Sequence, residues 1–143
     1  MAERIVMDLS TDVLAVVALS AAEAAALVPT SPTADDLRTH AAARRYAVET
    51  GGLVVGDATI DTSRSSQSMI AGAVGYMQAS GAASVEFKAA SGWTTLSADE
   101  ILNIALAVAA HVQRCFAAER AVDEAIAAGS VTTYAQIDAM IEV

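Results

Sequence analysis

His111 and Cys115 stand four residues apart, a spacing that brings two side chains together on one helical face. An imidazole beside a thiol can generate a nucleophilic thiolate or supply half of a metal site. No third ligand or orienting carboxylate stands at a helpful spacing, and Arg114 is a poor neighbour for a metal. A partly buried histidine beside a core cysteine is the plainer expectation. Asp57 and Asp61 flank the strand-like triplet Ala58–Ile60. Paired carboxylates can do acid–base work, but such a pair more commonly caps a turn and a helix. Thr62, Ser63, Ser65 and Ser66 form a hydroxyl cluster with no Gly-x-Ser-x-Gly elbow around it. Arg64 within it could hold an anion, although Asp61 or Glu49 is its expected partner. Neither phosphate-binding glycine motif is present, and there is no His-Glu-x-x-His and no calcium loop. The residues therefore predict no catalytic site, no metal and no cofactor, hence no enzyme.

The elements around these residues are better specified than the chemistry. The 143 residues carry 8 basic and 17 acidic side chains, a net charge of −9. That balance disfavours nucleic acid, which needs a lysine and arginine surface, and disfavours an anionic membrane. The hydrophobic fraction is 55%, but 34 of those residues are alanines, which favour helix. The apolar window Val13 to Val28 is shorter than a spanning helix and carries Ser20 and Glu23. A signal peptide would need a basic start, and Glu3, Asp8 and Asp12 outweigh Arg4. One cysteine excludes an internal disulfide.

Ile5–Met7 and Val13–Leu19 read as a hairpin, and Ser20 with Glu23 as the capping box of a short helix. Pro29 to Pro32 is the strongest break in the chain. It divides a segment 1–32, too small to be stable without a partner, from a domain 33–143. Thr33 caps a helix running to about Thr50. Leu37, Ala41, Ala42 and Val48 form its apolar stripe, and Arg38, Arg44, Arg45 and Glu49 its expected wet side. Gly51-Gly52 ends it. Leu53–Val55 and Ala58–Ile60 form a second hairpin around Gly56-Asp57, and a helix follows from about Ser66 to Ala79. On that helix Gly72-Ala73-Val74-Gly75, with Ala71 and Ala79, make a smooth face, expected to lie against the long helix or a hairpin. Val85–Lys88 and Trp93–Leu96 form a third hairpin. Trp93 reads as core packing there, or else as an exposed interface anchor.

Ser97 and Glu100 open the last long helix with a capping box, and Leu96 with Ile101 forms a hydrophobic staple. Ile101, Ile104, Val108, Val112, Cys115, Val122 and Ile126 repeat at helical spacing up to Gly129. Such a helix spans about 45 Å, longer than this domain needs, so part of it is expected to pack on another chain or on a second copy. Thr133 to Gln136 begins a short closing helix with Ile137 and Ile141 inward. The pattern predicts an α+β fold: short antiparallel hairpins alternate with helices, and the long C-terminal helix is the spine.

From about residue 44 onward the order of residues resembles a phage domain of unknown function found in small tail proteins and fibre-associated proteins. The resemblance is carried by Arg44, Glu49-Thr50-Gly51-Gly52-Leu53, Gly56, Ile60 to Gln67 and Ala71-Gly72-Ala73. It continues through Phe87-Lys88, Gly92-Trp93, Leu96, Val108, His111-Val112-Gln113, Cys115-Phe116 and Glu119, then Ile126-Ala127-Ala128 and the closing helix. Ser63 departs from it, standing where an aspartate is expected after Thr62. The hairpin and Leu19-Ser20-Ala21-Ala22-Glu23 are similar to the start of small tail-fibre assembly or attachment proteins.

The resemblance implies a context and no activity. The expected role is a non-enzymatic structural protein of a tailed-phage virion that binds tail or tail-fibre subunits through apolar hairpin and helix faces. A tail-fibre assembly chaperone is the alternative. Leu14, Val16, Leu19, Gly72, Gly75 and Trp93 are the candidate partner-binding residues. The expected partners are other phage tail or fibre proteins and further copies of the chain, in multiples of three from tail symmetry. Neither nucleic acid nor membrane is expected. The expected location is the virion tail, and the host cytoplasm during assembly.

Overall fold

The computed structural model describes residues 3–8, 13–26, 31–89 and 92–142. The chain divides into two compact units, residues 1–31 and 32–143.

In the first unit β1 (Glu3–Asp8) pairs antiparallel with β2 (Val13–Ala18), with Glu3 opposite Ala18 and Asp8 opposite Val13. The helix α1 (Ala21–Ala26) follows. Its capping box is the one the sequence specifies: the Glu23 amide donates to Ser20 Oγ (3.2 Å), and the Ser20 amide donates to the Glu23 carboxylate (3.0 Å). Leu19 is half-buried and Val17 exposed. The side chains of Leu14 and Val16, the turn joining the strands and the position of Pro29 lie outside the described residues.

The second unit is built on three helices: α2 (Ala34–Glu49), α3 (Arg64–Ser80) and α4 (Ala98–Ala127). The expected Ser97/Glu100 capping box forms at α4, and Thr33, expected as a cap, closes a full box with Asp36 at α2, which fixes where both helices start. Ser63, the residue that departs from the expected aspartate, is itself the N-cap of α3 and accepts from the Ser66 amide (3.3 Å). Gly81 ends α3 in the left-handed conformation (φ 69°). Between the helices lie two antiparallel hairpins. β3 (Leu53–Val55) pairs with β4 (Ala58–Ile60), and β5 (Ser84–Ala89) with β6 (Gly92–Ser97), Phe87 standing opposite Thr94. The three hairpins remain separate two-stranded sheets. This agrees with the expected α+β architecture, with α4 as the spine.

Two apolar clusters line α4, one along each half. Ile70 and Met77 of α3 meet Ile101 and Val108 of α4, and the two hairpins close over them through Leu53, Ile60, Val85, Phe87 and Leu96. Further along, Leu37 and Ala41 of α2 meet Val122 and Ile126 of α4, together with Val131 and with Ile137 and Ile141 at the closing helix α5 (Tyr134–Met140). Every member of the predicted α4 stripe faces inward, with Ile104 and Val112 half-buried. One prediction about α2 is wrong. Glu49 is fully buried and Arg45 nearly so, not on a wet side. At the last turn of α2 the chain doubles back through Gly51-Gly52 toward α3. Glu49 is thereby enclosed between helices that supply counter-charges, and charged residues sit inside only when so paired.

Candidate functional site

Glu49 is the centre of the polar interior. Its carboxylate accepts from Arg45 one turn earlier, from Arg64 at the start of α3 (Nε, 2.8 Å; a second nitrogen, 3.1 Å) and from Gln67 (3.2 Å). Arg45 also donates to Glu119 of α4 (2.7 Å) and lies over the Phe116 ring. Gln67 donates in addition to the Thr62 carbonyl (2.8 Å), and the buried Thr62 hydroxyl accepts from the Gly52 amide (2.9 Å). The cluster ties α2, the β4–α3 turn and α4 together. Burial pushes the Glu49 carboxyl up, but the hydrogen bonds from Gln67 and Arg45 and the charges of Arg64 and Arg45 outweigh it and hold the group below its ordinary value. Every charge here is spent on a neighbour inside the unit. Arg64 has the partner Glu49 and not Asp61, and is no anion site.

The same holds for the other chemical candidates. His111 Nε2 lies 3.1 Å from the Val48 carbonyl, an acceptor only, so this nitrogen carries the proton and donates. Cys115 Sγ is 3.8 Å from that protonated nitrogen, which therefore cannot take the thiol proton. The thiol is fully buried, and burial, with the Glu49 charge behind it, pushes its pKa up. The pair is a core histidine beside a core cysteine. Cys115 is expected to resist a thiol reagent such as Ellman's in the native protein at pH 8 and to react fully in denaturant. Prompt stoichiometric labelling of native protein would contradict the geometry. Asp61 accepts from the Ser66 hydroxyl (2.6 Å), the Ser63 amide (2.8 Å) and the Ser63 hydroxyl (2.9 Å), which hold its carboxyl below the usual range. It braces the start of α3, while Asp57 sits exposed on the β3–β4 turn. Among the described residues no cluster of three metal-ligating side chains occurs.

Several large apolar side chains face outward. Trp93 points outward from β6 with 74% of its surface exposed and Lys88 across its ring at 5.5 Å, so the core-packing expectation for it fails. The reason is strand alternation: Gly92, Thr94 and Leu96 take the inner face of β6, which leaves Trp93 and Thr95 outside. Gly72 and Gly75 are also exposed, and a side chain built at either would meet nothing within 4 Å. The expectation that the Gly72–Gly75 stretch lies against α4 or a hairpin holds for Ala73 and Val74, which pack against the α3–α4 cluster, and fails for the two glycines. Ile70 and Met77, on the other side of α3, make that contact. The glycines share an open stripe with exposed Met69 and Tyr76. Leu102 and Leu106, which no sequence motif singles out, are presented to solvent by α4. A cleft of about 560 Å³ opens between the two hairpins, lined by Ile60, Ile70, Phe87, Leu96 and Ile101. Its walls are mainly apolar.

No curated protein and no solved structure matches the chain. The family model described as a domain of unknown function, DUF4376, matches residues 32–141, which is the whole helical unit save its last two residues, and the chain belongs to that family.

Proposed function

We propose that the protein is a non-enzymatic structural subunit of a tailed-phage virion that binds tail or tail-fibre proteins, and further copies of itself, through outward apolar faces. The observation that supports this most is the outward placement of Trp93, Met69, Tyr76 and Leu106, while the titratable pairs of the interior are used up in holding helices together. Large exposed apolar side chains gathered on regular elements mark interaction sites. Trp93 is of the residue type that most often anchors an interface. The phage setting rests on the order of residues from Arg44 to the closing helix. The protein would act in the virion tail after assembly in the host cytoplasm.

The test is quantitative mass spectrometry of purified particles beside whole lysate. A fixed ratio to tail proteins is expected. Abundance in the lysate with absence from particles would make the protein an assembly chaperone instead. Trp93→Ala sharpens the result. With the ring in solvent, thermal stability should change by no more than about 0.5 kcal/mol, while incorporation into particles falls. Unchanged incorporation would remove Trp93 from the binding face.

A further inference from the structure

The two hairpins of the helical unit both pack on the α3–α4 cluster, yet they do not join into one sheet. β4 lines both clefts between them, one of about 560 Å³ and one of about 290 Å³, and no β3 residue lines either. On the far side only β5 reaches the smaller cleft, through Phe87, Lys88 and Ala89. The gap is therefore bounded by β4 and β5, and among the described residues no backbone hydrogen bond crosses it. Antiparallel pairs alternate between those that exchange hydrogen bonds and those whose N–H and C=O point away from each other. The Ala98 amide donates to the Ala83 carbonyl (3.1 Å), so Ala83 and Ala98 are a bonded pair. In that phase Val85/Leu96 and Phe87/Thr94 are bonded as well, and Glu86 and Lys88 turn their N–H and C=O to the outer edge of β5. In the other hairpin Val55 and Ala58 close the two-residue turn Gly56-Asp57 as a bonded pair. Thr59, the next residue, thus points its N–H and C=O away from β3. The walls of the gap are apolar and incompletely covered: Ile60, Phe87, Leu96 and Ile104 are only half-buried.

We infer that this gap takes one extended strand of another protein, which pairs with Thr59 on one side and with Glu86 and Lys88 on the other and joins both hairpins into one sheet. In strand addition the main-chain bonds give affinity, and the pockets for alternate side chains give specificity. Here the inward side chains of the strand are apolar and finish covering Ile60, Phe87, Leu96 and Ile104, while the outward ones are polar. Charge sets one end. Asp57 lies at the rim of the larger cleft and faces no counter-charge among the described residues. The other two charges there are engaged: Asp61 accepts from Ser63 and Ser66, and Lys88 lies over the Trp93 ring. A lysine or arginine at the end of the strand therefore meets Asp57. Hydrogen bonding favours a strand over a helix, whose backbone groups are spent internally, and over an apolar small molecule, which offers the edges nothing. The net charge of −9 makes this chain itself a poor source of the basic segment. The inference rests on the binding reading above and names what one of its surfaces takes.

The experiment uses the full chain and a synthetic peptide of about six residues, roughly 20 Å when extended, alternating valine and threonine behind one lysine. Amide exchange of Thr59, Glu86 and Lys88 should slow by about 10-fold or more on saturation, while Val85 and Phe87, bonded within their hairpin, change little. Lys88→Pro removes an outward N–H from an edge strand, a position where proline is tolerated, and should weaken the peptide by about 10-fold or more. Lys88→Ala keeps that N–H and should leave affinity within about 2-fold. Asp57→Lys should move the preference from the lysine peptide to one ending in glutamate. The exchange readout needs no variant and decides even where Lys88→Pro fails to fold. Three outcomes overturn the inference: no protection of these amides at about millimolar peptide; equal losses with Lys88→Pro and Lys88→Ala, which means a side-chain contact; or protection of the same amides in the chain alone, rising with its concentration, which means a second copy fills the gap. A chain that binds the peptide and is absent from particles keeps this inference and loses the virion reading. One that enters particles at fixed ratio and ignores the peptide does the reverse.

Discussion

Replacing Glu49 by alanine lowers the stability of the 32–143 unit by about 3–5 kcal/mol, the cost of removing one partner from a buried charge pair. In a domain of this size that corresponds to a fall in melting temperature of roughly 10–20 °C. Glu49 is fully buried and accepts from Arg45, Arg64 and Gln67. Without it Arg45 keeps only Glu119 in a largely buried position, and Gln67 keeps only the Thr62 carbonyl. Arg64 suffers less, being half-exposed and able to turn to water. Glu49→Gln keeps the volume and loses the charge, and should cost less than the alanine change. The pH dependence follows from the same cluster. The folded carboxyl is held below its ordinary value of 4.5. Its contribution is therefore complete above that value and lost as pH falls through the lower, folded one. The stability gap between wild type and Glu49→Gln should be full at pH 6–7 and narrow below about pH 4.5. Chemical denaturation at a series of pH values checks both statements. A gap that widens toward acid, or an alanine cost under about 1 kcal/mol, would mean the cluster is no more than a surface ion pair.

Ile137→Ala is expected to cost about 2–5 kcal/mol and to act first on the closing helix. α5 has only 7 residues, too few to be stable by itself. It is held by the Thr133/Gln136 capping box and by Ile137 and Ile141, both fully buried against Leu37, Ala41, Val122 and Ile126. Around them only part-exposed polar contacts help, such as His40 Nε2 to Asp138 at 2.8 Å. Truncating Ile137 leaves a cavity beneath a helix with little else to keep it down. Amide exchange of residues 134–141 should accelerate well before that of the α3–α4 half, where Ile101 and Val108 pack independently of this cluster. Equal acceleration along the whole unit would show that the two apolar clusters open as one.

Kinship and role rest on different observations. A domain of unknown function supplies kinship and no chemistry, so the proposed role rests on the exposed apolar side chains and on the resemblance in the order of residues. The surface and the charged interior are also where sequence reasoning had least purchase. Elements that depend on near neighbours were legible. The capping boxes Ser20/Glu23 and Ser97/Glu100 and the cap Thr33 form as expected, and Thr33 with Asp36 and Thr133 with Gln136 close two further boxes at the same three-residue spacing. The inward stripe of α4 was legible because a 3.6-residue repeat does not depend on what it faces.

What depended on distant partners was not. The Arg64–Glu49 pair was one of two the sequence offered, but the burial of Glu49 was not legible from its place on α2, because it takes the return of both Arg64 and Gln67 from α3, 15 and 18 residues later, to enclose it. Trp93 looks like core until the strand alternation of β6 assigns its side of the sheet. Gly72 and Gly75 look like a close-packing face until Ile70 and Met77 take that role on the opposite side of α3. The sequence by itself determined the helices, the hairpins, their caps and the α+β class, because those are set by side chains within a few residues of one another. Only the tertiary structure decided which charges are buried and which apolar residues face outward. Burial is a property of what packs above a residue, and in this chain that is supplied by segments tens of residues away.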